Sequence, residues 1–201
     1  ALADGTHSIT AKATDAAGNS SAASTALSIT IDATPPALVS STPADNATAV
    51  AVDSNILLTF TEAVDVESGN IVIKKTSDNS TVETIDVTSG QVTGTGTNQI
   101  TINPSSDLAS STEYYVQIAA TALDDPSSNS YAGITNTTSL SFTTADIINP
   151  TLASSTPADN ATAVAVNSNI VLTFTEAVDV ESGNIVIKKT ADDSTVETID
   201  V

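Results

Sequence analysis

The stretch ILLTFTEAV at residues 56–64 alternates apolar and polar side chains with a period of two. Leu58 and Phe60 share one face with the first residue of the stretch, and Thr59 and Thr61 lie on the other face. Successive side chains of a β-strand point to opposite sides, so a strand with one buried face has this period. The stretch therefore predicts a half-buried β-strand.

The same alternation recurs along the chain, at residues 71–73, 100–102, 116–120 and 140–142. β-Branched residues, which favour strands, are frequent in these segments. No segment carries a sustained apolar stripe with the 3.6-residue period of a helix. The sequence predicts an all-β protein.

A second copy of the opening stretch stands 114 residues further along the chain. Residues 35–87 and 149–201 match at this offset in 46 of 53 positions, and the differences fall at positions 35, 37, 39, 53, 57, 77 and 79 of the first copy. A period of this length corresponds to one whole domain rather than to the coil of a solenoid. The chain is therefore predicted to contain tandem domains.

Residues 1–33 do not align with the repeat, but they contain two predicted strands, His7–Asp15 and Ala22–Asp32. An isolated hairpin is only marginally stable in water, so we expect these strands to be the C-terminal part of a different module. Residues 34–147 are predicted to form one complete module, and residues 148–201 the N-terminal half of its repeat. On this interpretation the sequence is a window on a longer array.

The complete module is predicted to contain seven short strands. They are placed at Leu38–Ser41, Ile56–Ala63, Asn70–Lys75, Thr81–Val87, Gln99–Asn103, Glu113–Leu123 and Leu140–Thr144. This number of strands, separated by Ser-, Pro-, Asn- and Gly-rich turns, favours an Ig-like sandwich of two packed sheets. Tyr114, near the start of the penultimate strand, is either a tyrosine corner or an ordinary core aromatic.

The composition excludes several classes of partner. The chain has 24 acidic residues against five lysines and no arginine, which gives a formal net charge of −19. Binding to nucleic acid or to an anionic membrane surface requires clustered basic residues. The longest apolar runs are far shorter than the roughly 18 residues that span a bilayer. Cysteine is absent, so neither a disulfide framework nor a thiolate metal site is possible.

An enzymatic role is not expected. Glu62 with Glu67, or Asp124 with Asp125, would supply a carboxylate pair for glycoside hydrolysis. Such chemistry also needs a sugar cleft with aromatic platforms, and the chain has no tryptophan and three tyrosines. His7 is the only histidine. Its position in the period-two alternation places it on the apolar face of a predicted strand.

Several strings resemble known bacterial Ig-like classes. LADGTHSITA at residues 2–11 and ATDAAGN at residues 13–19 resemble repeats of giant surface adhesins. In the central module, STPAD at residues 41–45, LTFTEAV at residues 58–64 and LDD at residues 123–125 resemble another bacterial Ig-like class, found in RTX-type adhesins. The calcium-binding nonapeptide repeats of RTX proteins do not occur in this sequence.

The resemblance implies a secreted bacterial protein of the cell surface, exported by a type I system, in which tandem modules act as a stalk for cell adhesion or biofilm formation. Its partners within the segment would be the neighbouring modules of the same chain, and the adhesion target would lie outside it. An alternative remains open, because Ig-like modules also accompany secreted hydrolases. The chain would then be a glycan- or protein-binding accessory module of a polysaccharide-active enzyme.

Ig-like topology predicts where acidic side chains gather. The last strand of one module leaves toward the B–C and F–G loops of the next module, so carboxylates from both should meet at the linker. The first junction is expected to gather Asp4, Asp32, Glu62, Asp65, Glu67, Asp124 and Asp125.

The second junction is expected to gather Asp107, Asp146, Glu176, Asp179 and Glu181. Asp32 and Asp146 are separated by the repeat offset of 114, and each lies four residues before a proline. The two linkers are therefore predicted to be equivalent.

Carboxylates about 5 Å apart repel each other by roughly 3 kcal/mol per pair at an effective dielectric constant of 20. A hard cation with flexible oxygen coordination would relieve this repulsion, which favours Ca²⁺ over Mg²⁺. The hypothesis is that Ca²⁺ stiffens the linkers. The alternative is that these acids only solvate the surface, and no EF-hand spacing supports a calcium loop.

Overall fold

A computed structural model describes residues 2–201, and all regular elements in this range are β-strands. No helix among these residues is long and apolar enough to cross a membrane. The chain divides into two compact units, the first ending at Ile147 and the second formed by Ile148–Val201. The all-β prediction is confirmed.

The first unit begins with an antiparallel hairpin of β1 (Gly5–Ile9) and β2 (Leu27–Ile31). Both strands are shorter than predicted. Between them, the hydroxyls of Ser21 and Ser24 accept hydrogen bonds from the N–H groups of Ala13 and Ala11. Such side-chain bonds compete with a regular ladder, so the two chain segments stay adjacent here without forming continuous strands.

The remainder of the first unit is a sandwich of two sheets. Its strands are β3 (Leu38–Thr42), β4 (Ala47–Val50), β5 (Ile56–Val66), β6 (Asn70–Lys75), β7 (Thr81–Asp86), β8 (Val92–Thr93), β9 (Thr97–Ile102), β10 (Glu113–Ile118), β11 (Leu123–Asp124) and β12 (Ser141–Thr144). One sheet has the order β4-β12-β10-β6-β7, and the other has the order β11-β5-β9-β8 with β3 paired to β5. Each sheet combines strands from early and late parts of the module.

The alternating residues of the opening stretch form the centre of the core. Ile56, Leu58 and Phe60 are at most 2% exposed, and they pack with Ile71 and Ile73 from the other sheet. Burying a side chain of this size contributes about 1.5–3 kcal/mol. The core therefore depends on the period-two pattern that the sequence displays.

Tyr114 combines the two roles that the sequence left open. Its ring is 1% exposed and lies 6.1 Å from the ring of Phe142, centroid to centroid. Its hydroxyl oxygen accepts a hydrogen bond of 2.9 Å from the N–H of Ala109, five residues upstream. Tyr114 is thus both a core aromatic and a tyrosine corner.

The single predicted strand Glu113–Leu123 is wrong. β10 ends at Ile118, and a turn closed by the hydrogen bond from Ala122 N–H to Ala119 C=O leads into β11 in the opposite sheet. Ala122 and Leu123 are fully buried, so the apolar pattern continues through the change of sheet. The short strands β4 and β8 were not predicted.

The second unit repeats the first hairpins of the module. It contains β13 (Leu152–Thr156) paired with β14 (Val171–Phe174), and β15 (Asn184–Lys188) paired with β16 (Thr195–Asp200). Each pair is a two-stranded sheet within the described residues.

The repeat supplies a matched test of the core. Leu58→Ala should lower the free energy of unfolding of the first unit by about 2–5 kcal/mol, because it leaves a cavity in a closed core. Leu172→Ala changes the counterpart in the second unit, where this side chain is 40% exposed, and should leave the first unit unaffected. Urea unfolding followed by tyrosine fluorescence measures the difference, since all three tyrosines are buried in the first unit. Equal losses in both variants would contradict this assignment of the core.

Candidate functional site

The linker between β2 and β3 is held by carboxylates at its start. The Asp4 carboxylate, just before β1, accepts hydrogen bonds from the N–H of Ala33 at 3.0 Å and from the hydroxyl of Thr34. Asp32, directly after β2, accepts a hydrogen bond of 3.1 Å from the N–H of Thr34. Pro36 then enters the module as a buried residue with a fixed φ. The linker therefore has a defined course.

Asp125 follows β11 and begins a tight turn. Its Oδ1 accepts the N–H groups of Ser127 and Asn129, both at 2.8 Å, and its Oδ2 accepts the side-chain amide of Asn129 at 2.8 Å. The residue is 2% exposed. Burial by itself raises the pKa of Asp125, but the hydrogen bonds from Asn129 and Ser127 outweigh it and hold the pKa below its ordinary value. Asp125 is thus fixed in its ionised form.

The turn at Asp15 has the same hydrogen bonds as the turn at Asp125. Asp15 Oδ1 accepts the N–H of Ala17 at 3.0 Å and of Asn19 at 2.8 Å, and Asp15 Oδ2 accepts the Asn19 amide at 3.0 Å. The sequence shows this likeness as a common spacing from aspartate to asparagine. Asp15 is exposed, whereas Asp125 is buried.

Glu62 lies on β5 within an irregular stretch, where the register to β9 shifts between Thr59 and Val64. Its pKa is raised first by burial and then by the negative charges of Asp32, Asp125 and Asp4. Unlike Asp125, Glu62 receives no hydrogen bond from residues 2–201 that offsets these effects. The protein therefore stabilises the ionised form of Glu62 less than that of Asp125.

Three carboxylates meet where the linker enters the module. Asp32, Glu62 and Asp125 each place one carboxylate oxygen within 4.8 Å of the others. The side-chain amide of Asn129 also donates to the backbone carbonyl of Asp32 at 3.2 Å, so it connects the Asp125 turn to the linker. None of the three carboxylates forms a salt bridge with a residue in the range 2–201. We call Asp32, Glu62 and Asp125 the junction triad.

The junction triad has the donor chemistry and spacing of a Ca²⁺ site. Two ligands of one ion are at most two ligand–ion distances apart, which is about 4.6–5.2 Å for Ca²⁺ and about 4.2 Å for Mg²⁺. A spacing within 4.8 Å is compatible with shared coordination of one Ca²⁺. The triad offers oxygen ligands only, as hard cations prefer. The residues present therefore fit a calcium ion, and their role as ligands stays a prediction.

The other acids predicted for the first junction lie outside the triad. Asp65 and Asp124 are paired positions of β5 and β11, and Asp65 accepts a hydrogen bond of 3.3 Å from the Thr95 hydroxyl. Glu67 is exposed, just beyond β5. Asp4 acts on Glu62 through its charge while its oxygens hold the linker.

The five acids predicted for the second junction belong to two different units. Asp107 and Asp146 belong to the first unit, and Asp146 accepts a hydrogen bond of 3.1 Å from the Ser110 hydroxyl. Glu176, Asp179 and Glu181 belong to the second unit. A site formed by these five residues stays a prediction.

Asn129 is the residue that sequence reasoning missed. Its amide bridges Asp125 and the carbonyl of Asp32, a contact between residues 97 positions apart. The spacing shared by Asp15–Asn19 and Asp125–Asn129 was the available signal, but only the folded chain places a linker carbonyl beside the amide.

Comparison with known proteins matches every residue of the chain except Ala145 to a family model. Two family models, both described as bacterial Ig-like domain, match it: one at residues 32–144 and 146–201, the other at residues 1–33. No curated protein matches the chain.

Solved structures show distant similarity. CopC from Methylosinus trichosporium OB3b is 18% identical with a TM-score of 0.41, and the match covers 57% of this chain and 97% of that one. The S-layer protein rSbsC(31-844) is 15% identical with a TM-score of 0.37, covering 80% and 21%. The N-terminal part of the bacterial S-layer protein SbsC is 16% identical with a TM-score of 0.36, covering 82% and 38%. The family models, which together account for most of the chain, decide the assignment: the chain belongs to the bacterial Ig-like domain family.

Proposed function

We propose that this chain is a non-enzymatic extender segment of a secreted bacterial cell-surface adhesin. Its modules add distance and stiffness between the cell and an adhesive region elsewhere, and Ca²⁺ at the junctions between modules makes the linkers rigid. The extracellular location and the adhesive context rest on the resemblance of the sequence to surface adhesins and on membership of the bacterial Ig-like family.

The junction triad is the observation that carries this proposal. Asp32 belongs to the linker, whereas Glu62 and Asp125 belong to the following module, so an ion bound by all three would tie the linker to the module. Like charges at this spacing repel each other by about 3 kcal/mol per pair at an effective dielectric constant of 20, and by less where water screens them. Without a cation, the triad pushes the linker away from the module.

The residues of the chain have separate roles in this arrangement. A bound Ca²⁺ supplies positive charge that reverses the repulsion within the triad. Asp125 is held ionised and oriented by its turn, and Asn129 keeps the linker carbonyl of Asp32 beside it. Asp4 fixes the backbone of the linker through Ala33. Glu62 is the ligand whose raised pKa makes the site sensitive to protons.

The surface of the complete module supports a spacer over a sugar-binding accessory module. Glycan sites use exposed aromatic platforms, and Tyr114, Tyr115 and Tyr131 are all at most 7% exposed. Tyr131 packs edge-on against Phe60 at 5.2 Å between ring centroids. The high identity of the two repeats is also what a spacer that grows by duplication would have.

Replacing one ligand tests the calcium site. Glu62→Gln removes a charge and a carboxylate, and the affinity of the chain for Ca²⁺ measured by calorimetry should fall about ten-fold or more, equivalent to at least 1.4 kcal/mol. Glu113→Gln, at the exposed start of β10, makes the same change outside the triad and should leave the affinity unchanged. A loss of similar size in both variants would indicate only a general effect of net charge.

Protons should compete with Ca²⁺ at this site. Because the pKa of Glu62 is raised in the folded chain, this residue retains a proton at pH values where an exposed glutamate is ionised, and Ca²⁺ binding must release it. The affinity for Ca²⁺ should therefore fall as the pH is lowered from 7 toward the pKa of Glu62. Without Ca²⁺, pH affects the stability of the junction in the opposite direction. Folding disfavours the ionised form of Glu62, so the junction loses stability as the pH rises through the pKa of this residue. Calorimetry at several pH values measures the first effect, and a pH-independent affinity would contradict it.

Small-angle scattering tests the stalk itself. Titration with Ca²⁺ through the range of about 10⁻⁴–10⁻³ M that is typical of extracellular modules should lengthen and sharpen the distance distribution, and EDTA should reverse the change. A chain that is straight with and without Ca²⁺ would contradict the calcium role but retain the spacer role. A chain that is flexible under both conditions would contradict the spacer role.

A further inference from the structure

The string STPAD at residues 41–45 recurs in the second copy and has no part in the junction triad. In the complete module it leads from β3 in one sheet to β4 in the other. The Ser41 hydroxyl donates to the Pro43 carbonyl at 2.7 Å, and the side-chain amide of Asn46 donates to Asp45 Oδ2 at 2.7 Å. These bonds fix the course of the chain as it changes sheet.

The second copy of the string has the same local bonds. The Ser155 hydroxyl donates to the Pro157 carbonyl at 2.8 Å, and the side-chain amide of Asn160 donates to Asp159 Oδ2 at 2.9 Å. The geometry therefore arises from the string itself. Because Oδ2 of the aspartate is engaged locally, Oδ1 of Asp45 is available to a partner from elsewhere in the chain.

The partner of Asp45 Oδ1 is Ser141, the first residue of β12. Oδ1 accepts the Ser141 N–H at 2.9 Å and the Ser141 hydroxyl at 3.1 Å, although the two residues are 96 positions apart. In return, the Asn46 N–H donates to the Ser141 carbonyl at 2.8 Å. Ser141 is 5% exposed. Hydrogen bonds to an ionised acceptor are stronger than neutral ones, so Asp45 holds the start of β12 beside the start of β4.

β4 and β12 are the first and the last strand of their sheet in chain order, and they pair in parallel. Phe142 stands opposite Ala47, and Thr144 stands opposite Val50. Directly after β12, the Ala145 N–H donates to the Val50 carbonyl at 2.7 Å. The pair is thus held at both of its ends, by the aspartate at the start and by this backbone bond at the finish.

The chain that leaves β12 is anchored as well. The Ser110 hydroxyl accepts the N–H of Ile147 at 3.0 Å and donates to the Asp146 carboxylate at 3.1 Å. The Ser111 N–H donates to the Ala145 carbonyl at 3.1 Å. These contacts keep residues 145–147 in line with the end of β12.

Parallel pairing decides how this sheet responds to tension along the chain. A pull on the two linkers reaches β4 through β3 at its N-terminal end and reaches β12 at its C-terminal end. These are opposite ends of a parallel pair, so the force slides one strand along the other. The bonds between the strands and the Asp45–Ser141 contact then have to break together. Strands that are pulled from adjacent ends separate one bond at a time, which needs less force.

We propose that the β4–β12 pair and Asp45 form a mechanical clamp that carries tension through the complete module. This inference rests on the proposed function, because a stalk between a cell and an attached surface transmits force. It does not depend on the calcium site, since the clamp contains no residue of the junction triad. Asp45 fixes the register of the clamp, and STPAD is its signature in the sequence.

Single-molecule pulling on the full chain in two directions tests the clamp. The chain has no cysteine, so handles attach only where cysteine is introduced. Pro35→Cys with Asn149→Cys spans one module and pulls β4 and β12 from opposite ends. Ala44→Cys with Ser139→Cys pulls them from adjacent ends, and all four positions are exposed.

At the same force, the first pair of handles should give unfolding about ten-fold or more slower than the second pair. Both proteins have the same fold and the same clamp, so the direction of the force is the only intended difference. Equal rates in the two directions would overturn the clamp, while the spacer role measured by scattering would still stand.

Matched variants test the part played by Asp45. Asp45→Ala, pulled through the linkers, should unfold about ten-fold or more faster at the same force, because two hydrogen bonds to a charged acceptor are lost. Asp86→Ala is the control: Asp86 Oδ1 accepts the N–H and the hydroxyl of Thr88 at 2.9 and 2.8 Å, the same two bonds made within one turn. It should leave the rate unchanged.

A milder variant makes the test independent of the folding of Asp45→Ala. Ser141→Ala removes only the hydroxyl bond to Asp45 and should accelerate unfolding under force in the same direction by a smaller factor. Tyrosine fluorescence verifies that each variant is folded before it is pulled. If the Asp45 and Ser141 variants unfold no faster than Asp86→Ala, Asp45 has no role in carrying tension.

Discussion

Each sheet of the complete module has one apolar face that only the other sheet can cover. Ile56 and Leu58 on β5 are shielded from water because Ile71 and Ile73 on β6 approach from the second sheet. Both sheets also interleave early and late strands, with β9 beside β5 and β10 beside β6. Neither half of the module therefore contains a complete sheet. The second unit illustrates the consequence, since it has the same hairpins but leaves Ile170 and Ile185 exposed.

Closure of the sandwich also brings the three carboxylates of the junction triad together at one end of the module. Glu62 and Asp125 come from chain segments far apart in sequence, and the linker brings Asp32 to them. The fold stabilises these charges unequally. Asp125 receives hydrogen bonds from its own turn, whereas Glu62 experiences burial and three negative neighbours. An arrangement of this kind places like charges close together at the position where two modules meet, and this is why the proposed function assigns the calcium ion to that position.

Near identity of neighbouring repeats has two opposite consequences. It agrees with the proposed spacer role, in which copies of one module follow each other along the chain. It also means that the late strands of one copy match the early strands of the next, because 46 of 53 positions are the same in the two copies. Strand exchange between identical neighbours is a known hazard of repeat proteins.

The sequence by itself determined the features that depend on near neighbours. Period-two alternation located β5, β6 and β7 closely, and a common spacing revealed the turns at Asp15 and Asp125. The strands β4 and β8 show too little apolar–polar alternation to be predicted. β8 has only two residues, and β4 contains Ala49 with a positive φ of 55°. The change of sheet after Ile118 was missed because buried residues continue on both sides of it.

Only the tertiary structure decided which strands share a sheet and which acids meet. Topology reasoning proposed seven acids for the first junction, and the fold brings Asp32, Glu62 and Asp125 within 4.8 Å while Asp65 and Asp124 lie outside the triad. Glu62 lies in the stretch of β5 where the register to β9 shifts, between Thr59 and Val64. No local pattern encodes that outcome, because it depends on long-range strand pairing, which is set by the packing of the whole sandwich.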